Sequence, residues 1–498
     1  VISISGAFFY AYCTKQKTNT YMKIFALAIN LSCIPWLFVY FLPACSSFMC
    51  NDNIIKHMNF TDSKSVIPQS HLWFANPVCS IWGVTTTIFD PSPTIIQFLS
   101  NSDHCLVVVG DLKTNHERWN FFTKAYANKA FYLSPEEQKM LPLTIVKEIP
   151  WNHFGRKNIG YLFALRHHAK TIYDFDDDNV LKTSTKIFKK ILANKLDKIP
   201  LLAKMHAYHN PYPAFKPVNT NREAQFMWPR GFPLNFINDK NTSLIKYNGF
   251  ITQKQVAVFQ SLADNDPDVD AIFRMTKTLP VNFELPNTIH AIPHSTYSPW
   301  NSQAVLVRDV AFWGLLLPIS VTGRVSDIWR SYITSRILFA TPYHIAFTSP
   351  FVTQHRNPHD YQTDFVDEIN LYTKTNLMLH TLSQFQVKES KPLSQNLLDL
   401  FKELARKKII DSTDVALVSA WIHDLQTVNY SWPSQIHDIT PFETPKSPVS
   451  DYRVFSVNAS KAKMIASNNT IQNSIVFSKS TQSNDVRYKA LKTFSNVQ

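Results

Sequence analysis

The chain has 498 residues, 45% of them hydrophobic and 13% aromatic, and a formal charge of +13 from 50 Lys and Arg against 37 Asp and Glu. Such a chain can bury a sizeable core as one large domain or two to three modules, which excludes wholesale disorder, collagen and a disulfide-stapled miniprotein. Its nine glycines form no G-x-G-x-x-G, and Gly155 to Gly160 is followed by Tyr161-Leu162 where a P-loop needs Lys and Ser or Thr, so the sequence argues against a glycine-cradled nucleotide.

In chain order, residues 1–23 carry Lys15, Lys17 and Lys23 and no acidic residue. Ile24 to Leu42 is uncharged, and the next charge is Asp52. About 20 apolar residues span a bilayer as a helix. The positive-inside rule then gives a cytosolic segment 1–23, a signal anchor over 24–45 and a body across the membrane. A cleaved signal peptide, with Ala44 and Ser46 near the cut, is the competing reading; residues 1–14 are also uncharged and leave a second span open. Residues 46–79 read as a polar stem. All six cysteines lie in the first quarter, and Cys79 and Cys105 either pair in an oxidising compartment or stay as buried thiols. Sequons at Asn59, Asn241, Asn429, Asn458 and Asn468 are compatible with secretory passage.

The body opens with a β-rich Ser80 to Phe89, a short helix over Pro91 to Leu99 and a strand over Cys105 to Val109 that ends at Gly110-Asp111. Strand, helix, strand predicts an α/β fold with a parallel sheet. Ser134, Pro135 and Glu137 predict a helix start with N-cap, first-turn proline and capping box. Arg156 to Lys170 has helical spacing of Ile159, Leu162 and Phe163, and Gly160 would allow close approach to the sheet. Thr171 to Tyr173 predicts a short strand running into Asp174-Phe-Asp-Asp-Asp178. Downstream, Asp327 to Leu338 and the amphipathic Leu397 to Ile409 predict helices. From Ser447 the chain is a polar tail.

Four carboxylates in five residues repel unless a cation neutralises them, and oxygen ligands suit Mn²⁺ or Mg²⁺. Nucleotide-sugar transferases use a D-x-D at a strand end in this way, with the metal screening the departing diphosphate. An exposed acidic loop is the plain reading of the same residues. Arg156 and Lys157 open the preceding helix, where a diphosphate could sit.

The stretch from Gly155 to Asn179 resembles the STELLO-type glycosyltransferases. So do Trp82 to Phe89, Val109 to Thr114, Asn210 to Pro213, Trp228 to Pro233, Pro267 to Asp270, Phe312 to Pro318 and His355-Arg356, in family order over about 82–361. The chain departs from the plant pattern at Asp178 and Asn179, which leaves either Asp176 or Asp178 as the direct metal ligand. The resemblance implies a type II Golgi membrane protein whose residues 80–365 form a GT-A-like (Rossmann-like) mixed sheet flanked by helices. A helical region over 366–446 and a polar basic tail over 447–498 follow.

On that basis Asp174, Asp176, Asp177 and Asp178 are the candidate metal residues. Asp174 would also reach ribose, and Asp111, Arg156, Lys157, Arg230 and His355 would meet the nucleotide-sugar. Asp268, Asp270 and Asp327 are candidates for a general base in an inverting reaction, although Asp327 is also placed to cap its helix. The implied partners are a nucleotide-sugar donor, a glycan or glycoprotein acceptor, the membrane and other Golgi proteins. A non-catalytic Golgi interaction protein on the same fold is the alternative. Residues 452–498 hold seven Lys and Arg against Asp485, so with the first 23 residues they leave the stretch between at only +4. That distribution, without a nucleic-acid motif, argues against a nucleic-acid partner.

Overall fold

The structure is a computed structural model that describes residues 69–436 except 183, 184 and 358. The described residues lie almost wholly in the second of two compact units, which begins at Leu72. The expected cytosolic segment, anchor, most of the stem and the tail fall outside the described residues. Among the described helices none is long and apolar enough to cross a membrane.

Ten strands follow one another in space, with an eleventh paired at one side. The strands are β1 (Ile81–Thr86), β2 (His104–Val109), β3 (Ala130–Leu133), β4 (Thr171–Phe175), β5 (Asn179–Leu181) and β6 (Ile199–Leu202), then β7 (Pro217–Asn219), β8 (Tyr247–Ile251), β9 (Val256–Asp264), β10 (Val281–Phe283), β11 (Ile289–Ala291), β12 (Ala304–Arg308) and β13 (His344–Gln354). The order is β3-β2-β1-β4-β12-β9-β13-β11-β6-β8, with β5 on β13, while β7 and β10 form a separate pair. The first four are mutually parallel. β12 then runs antiparallel to β4, with Val305 opposite Asp174. This is the mixed α/β sheet flanked by helices that the resemblance implies, and the parallel sheet read from strand, helix, strand holds for its first four strands.

Alternation decides which face each residue serves. Val107 and Val109 join the core under the helix Lys157–Arg166, while Leu106 and Val108 join Phe98, Tyr173 and Phe175 on the other face. Gly160 confirms its predicted close approach: a Cβ there would stand 2.8 Å from Val84 and from Val109 side-chain carbons. The Cys79–Cys105 disulfide is present and ties the approach to β1 onto β2.

Three local expectations need correction. The helix Pro135–Met140 is capped by Ser134, which accepts from the Glu137 amide at 3.2 Å. However, the box is not completed by a bond from Ser134 N to the Glu137 carboxylate: the Ser134 hydroxyl donates to Glu136, and the buried Glu137 carboxyl is pushed up to about 7 by desolvation. The helix expected from Asp327 begins four residues earlier and spans Gly323–Leu338, with Thr322 at its N-cap; Asp327 therefore lies inside it and caps nothing. The amphipathic helix is Leu393–Arg406, again four residues earlier than read.

Candidate functional site

The carboxyl end of β4 is the centre of the site. The strand runs two residues beyond the predicted Tyr173 because β12 pairs along it as far as Ala304 opposite Phe175. Asp174 is thereby inside the strand, wholly buried. Its two oxygens are taken by Lys157 Nζ at 2.7 Å and an Arg330 guanidinium nitrogen at 2.8 Å. Burial would lower the Lys157 ammonium, but the Asp174 and Asp176 carboxylates outweigh it and hold it above the usual lysine value. Lys157 also donates to the Phe175 and Ser302 carbonyls, each at 3.0 Å. Both predicted residues therefore form a buried ion group, with Lys157 beneath the strand end rather than open to a diphosphate.

The chain then turns. Asn179 N donates to the Asp176 carbonyl at 3.3 Å, closing the four-residue turn Asp176 to Asn179. The Asp176 side chain is 38% exposed, and its inner oxygen lies 3.3 Å from Lys157. Desolvation in the crowded strand end, with the charges of Asp178, Asp174 and Asp177, raises its carboxyl to about 7 against the pull of Lys157. Asp177 accepts a short hydrogen bond from the Thr87 hydroxyl at the end of β1. Asp178 accepts from Asn179 Nδ2 at 2.8 Å and Gln354 Nε2 at 3.3 Å. Burial pushes up both the Asp177 and Asp178 carboxyls. His355, exposed at the end of β13, donates its amide to the Asp178 carbonyl at 3.0 Å. Among the described residues no three His, Cys, Asp or Glu side chains converge as metal ligands do; the donors on offer are oxygens spread along one turn.

The other predicted residues sit elsewhere. Arg156 is wholly buried, donates to Gln138 at 2.7 Å and the Ile149 carbonyl at 2.8 Å, and lies 3.5 Å over the Trp151 ring. Its burial lowers the guanidinium to about 10, and none of its hydrogen bonds reaches the acidic turn. Asp111 accepts from the Leu112, Asn152 and His153 amides at 2.7 to 3.1 Å and so ties the end of β2 to the loop before the Lys157 helix. These are loop-holding roles.

Arg230 is forked between two carboxylates. Its nitrogens donate to Asp268 at 2.7 and 3.1 Å and to Asp327 at 3.0 Å twice. Asp268 also accepts from Asn301 at 2.8 Å. Burial pushes the Asp268 carboxyl up, but Arg230 outweighs it and holds it below the usual value. Asp270 caps the helix Ala271–Thr276 through the Phe273 amide at 2.8 Å and accepts from Trp228 Nε1 at 2.7 Å. Burial raises it to about 6. All three base candidates are thus already bonded to the fold. Arg230, Asp268, Trp300, Asn301 and Gln303 line a cavity of about 20 Å³, room for one water rather than a sugar. It is joined to the turn through the Gln303 carbonyl, which accepts from Asp176 N at 3.2 Å.

Sequence reasoning missed Arg330, Gln354 and Thr87. None of the three carried a signal: Arg330 needs an ionic partner because its helix is buried on almost every side, which the helix's polar composition does not announce.

Comparison with known proteins bears on this arrangement. The family model of the STELLO glycosyltransferases matches residues 324–486, which begins downstream of the acidic turn and reaches beyond the motifs over 82–361. The chain is 25% identical over 432 residues to the Arabidopsis thaliana protein named "Probable glycosyltransferase STELLO1", covering 83% of this chain and 54% of that protein. It is 28% identical over 362 residues to "Probable glycosyltransferase STELLO2" of the same plant, covering 71% and 45%. The chain thus spans about half the length of the curated relatives it matches.

Proposed function

We propose that this chain, similar to the STELLO glycosyltransferases over most of its length, transfers a sugar from a nucleotide-sugar to a glycan or glycoprotein acceptor. One observation carries the reading: Asp176, Asp177 and Asp178 leave the carboxyl end of β4 in a single turn, where a parallel run of strands meets antiparallel β12. Ligands of open α/β sheets bind at such strand ends. The order β3-β2-β1-β4 supports a GT-A-like scaffold.

The turn suits a hard divalent cation, because its donors are all oxygens and the charges of its carboxylates act on one another. Asp176 and Asp178 would hold Mn²⁺ or Mg²⁺, and the bound ion would neutralise the diphosphate leaving group. The chain's own residues prepare the place: Lys157 and Arg330 fix Asp174 and with it the strand end, Thr87 orients Asp177, and the His355 amide holds the Asp178 carbonyl. The Cys79–Cys105 disulfide and the exposed sequons at Asn241 and Asn429 support a body in an oxidising secretory lumen, held as a type II Golgi membrane protein by the anchor read at 24–45.

The test is manganese-dependent binding or hydrolysis of a nucleotide-sugar by the full chain. Asp176→Asn or Asp178→Asn should abolish it without unfolding the protein; activity unchanged in both variants sinks the assignment. A second reading, a non-catalytic Golgi interaction protein, is favoured by the engagement of Asp268, Asp270 and Asp327 in the fold. Calorimetry against a panel of nucleotide-sugars separates the two, since a scaffold would bind none of them.

A further inference from the structure

Asp178 lies between two carboxamides. Asn179 and Gln354 are direct cross-strand partners where β5 meets β13, so their side chains share a face. Asn179 is wholly buried and Gln354 is 4% exposed. Each turns its amide nitrogen to the Asp178 carboxylate, at 2.8 and 3.3 Å. Their carboxamide oxygens, Asn179 Oδ1 and Gln354 Oε1, are both buried and accept no hydrogen bond. A buried acceptor left empty is costly, and two beside one carboxylate call for a common explanation.

A carboxamide presents an acceptor on one side and donors on the other, and half a turn about its last bond exchanges them. Here the nitrogens face Asp178, with the Arg356 guanidinium the cation whose charge also reaches that carboxylate. With a cation on Asp178, the same rotation brings both oxygens to it. Carboxylate and amide oxygens together are the ligand set of a hard divalent ion. Of the other carboxylates, Asp174 is held by Lys157 and Arg330 and Asp177 by Thr87, while Asp176 stands 38% exposed with one oxygen 3.3 Å from Lys157.

We infer that Asn179 and Gln354 complete, with Asp178, an oxygen seat for a divalent cation, the two carboxamides turning from nitrogen-in to oxygen-in as the ion binds. This rests on the metal-dependent reading of the acidic turn and assigns it two neutral ligands from outside the acidic run. Neutral oxygens would give a modest affinity for the bare ion and leave positive charge on it for a diphosphate.

The experiment titrates Mn²⁺ alone, without nucleotide-sugar, into the full chain in detergent and reads free Mn²⁺ by electron paramagnetic resonance. Gln354→Leu keeps the size and loses both polar atoms; it should weaken binding at least tenfold. Gln354→Glu restores an oxygen and should bind as tightly as the original or more so, which also keeps the test readable if Gln354→Leu folds poorly. Binding by Gln354→Leu within twofold of the original, with binding lost in Asp178→Asn, overturns the inference and leaves the metal reading standing; a buried water would then be what the amide oxygens meet. A folded original that binds no Mn²⁺ overturns both.

Discussion

Lys157 Nζ stands 2.7 Å from Asp174 Oδ1 with both side chains wholly out of solvent, and Arg330 closes the other side of the same carboxylate at 2.8 Å. Removing that anion leaves two buried cations with only Asp176, 3.3 Å from Lys157, as a remaining partner. Breaking a buried ion group by deleting a partner costs about 3–5 kcal/mol, so Asp174→Asn should lower stability by that amount in chemical denaturation. Asp176→Asn, at a side chain 38% exposed, should change it by less than about 1 kcal/mol. Equal stability of the two variants would show that Asp174 is not the structural member of the cluster.

That pair also explains what the sequence could and could not tell. Features set by neighbours along the chain were readable: the Ser134 cap, the close packing at Gly160 and the order strand, helix, strand at the start of the body. The acidic cluster was readable too, but its division of labour was not. Asp174 is interior because β1, about 90 residues upstream, pairs with it through Val84, and β12, from about 130 residues downstream, carries β4 on to Phe175. The long strands β9 and β13, parallel neighbours about 90 residues apart in sequence, went unread for the same reason. Arg156 and Lys157 look alike in sequence, yet a step of one residue sends the first to Trp151 and Gln138 and the second beneath the acidic turn.

Arg230 makes a second prediction. With its fork removed in Arg230→Met, Asp268 and Asp327 would share a buried space without a counter-ion, and the cost should again be about 3–5 kcal/mol. Adding Asp327→Leu to that variant should recover part of the loss, since the two positions share a partner and cannot be additive. The deficit of Arg230→Met should shrink as pH is lowered, because protonating one carboxyl removes the repulsion. Thermal unfolding of the single and double variants at two pH values reads all three outcomes.

Reduction of Cys79–Cys105 gives a third. The bond closes a loop with a sequence separation of 26 residues and anchors the stretch before β1. Losing such a constraint on the unfolded chain costs about 3 kcal/mol. The Cys79→Ser, Cys105→Ser double variant should therefore unfold at correspondingly lower denaturant, and reductant should shift the original protein but leave that variant where it is. A reductant effect of equal size on both would place the stabilisation elsewhere.

The buried pair His209 and His290 gives the last, with a sign fixed by linkage. Their Nε2 atoms lie 3.3 Å apart, so one ring donates to the other. Burial pushes His209 down to about 4, and burial with His209 beside it pushes His290 well down as well. An unfolded histidine titrates near 6.5, so the unfolded chain takes up protons that the folded one refuses. The stability this neutral pair supports is fully present above about pH 6.5 and is lost as pH falls toward 4. For His209 alone the loss approaches ~3 kcal/mol. Other buried groups titrate in the same window, and Glu137 and Asp270, with raised carboxyls, act in the opposite sense. The clean readout is therefore a difference. His209→Gln keeps a donor for His290 and does not titrate. Its deficit relative to the original protein should narrow by roughly 3 kcal/mol between pH 6.5 and 4, and a gap that stays constant across that range would mean that His209 is not held neutral by the fold.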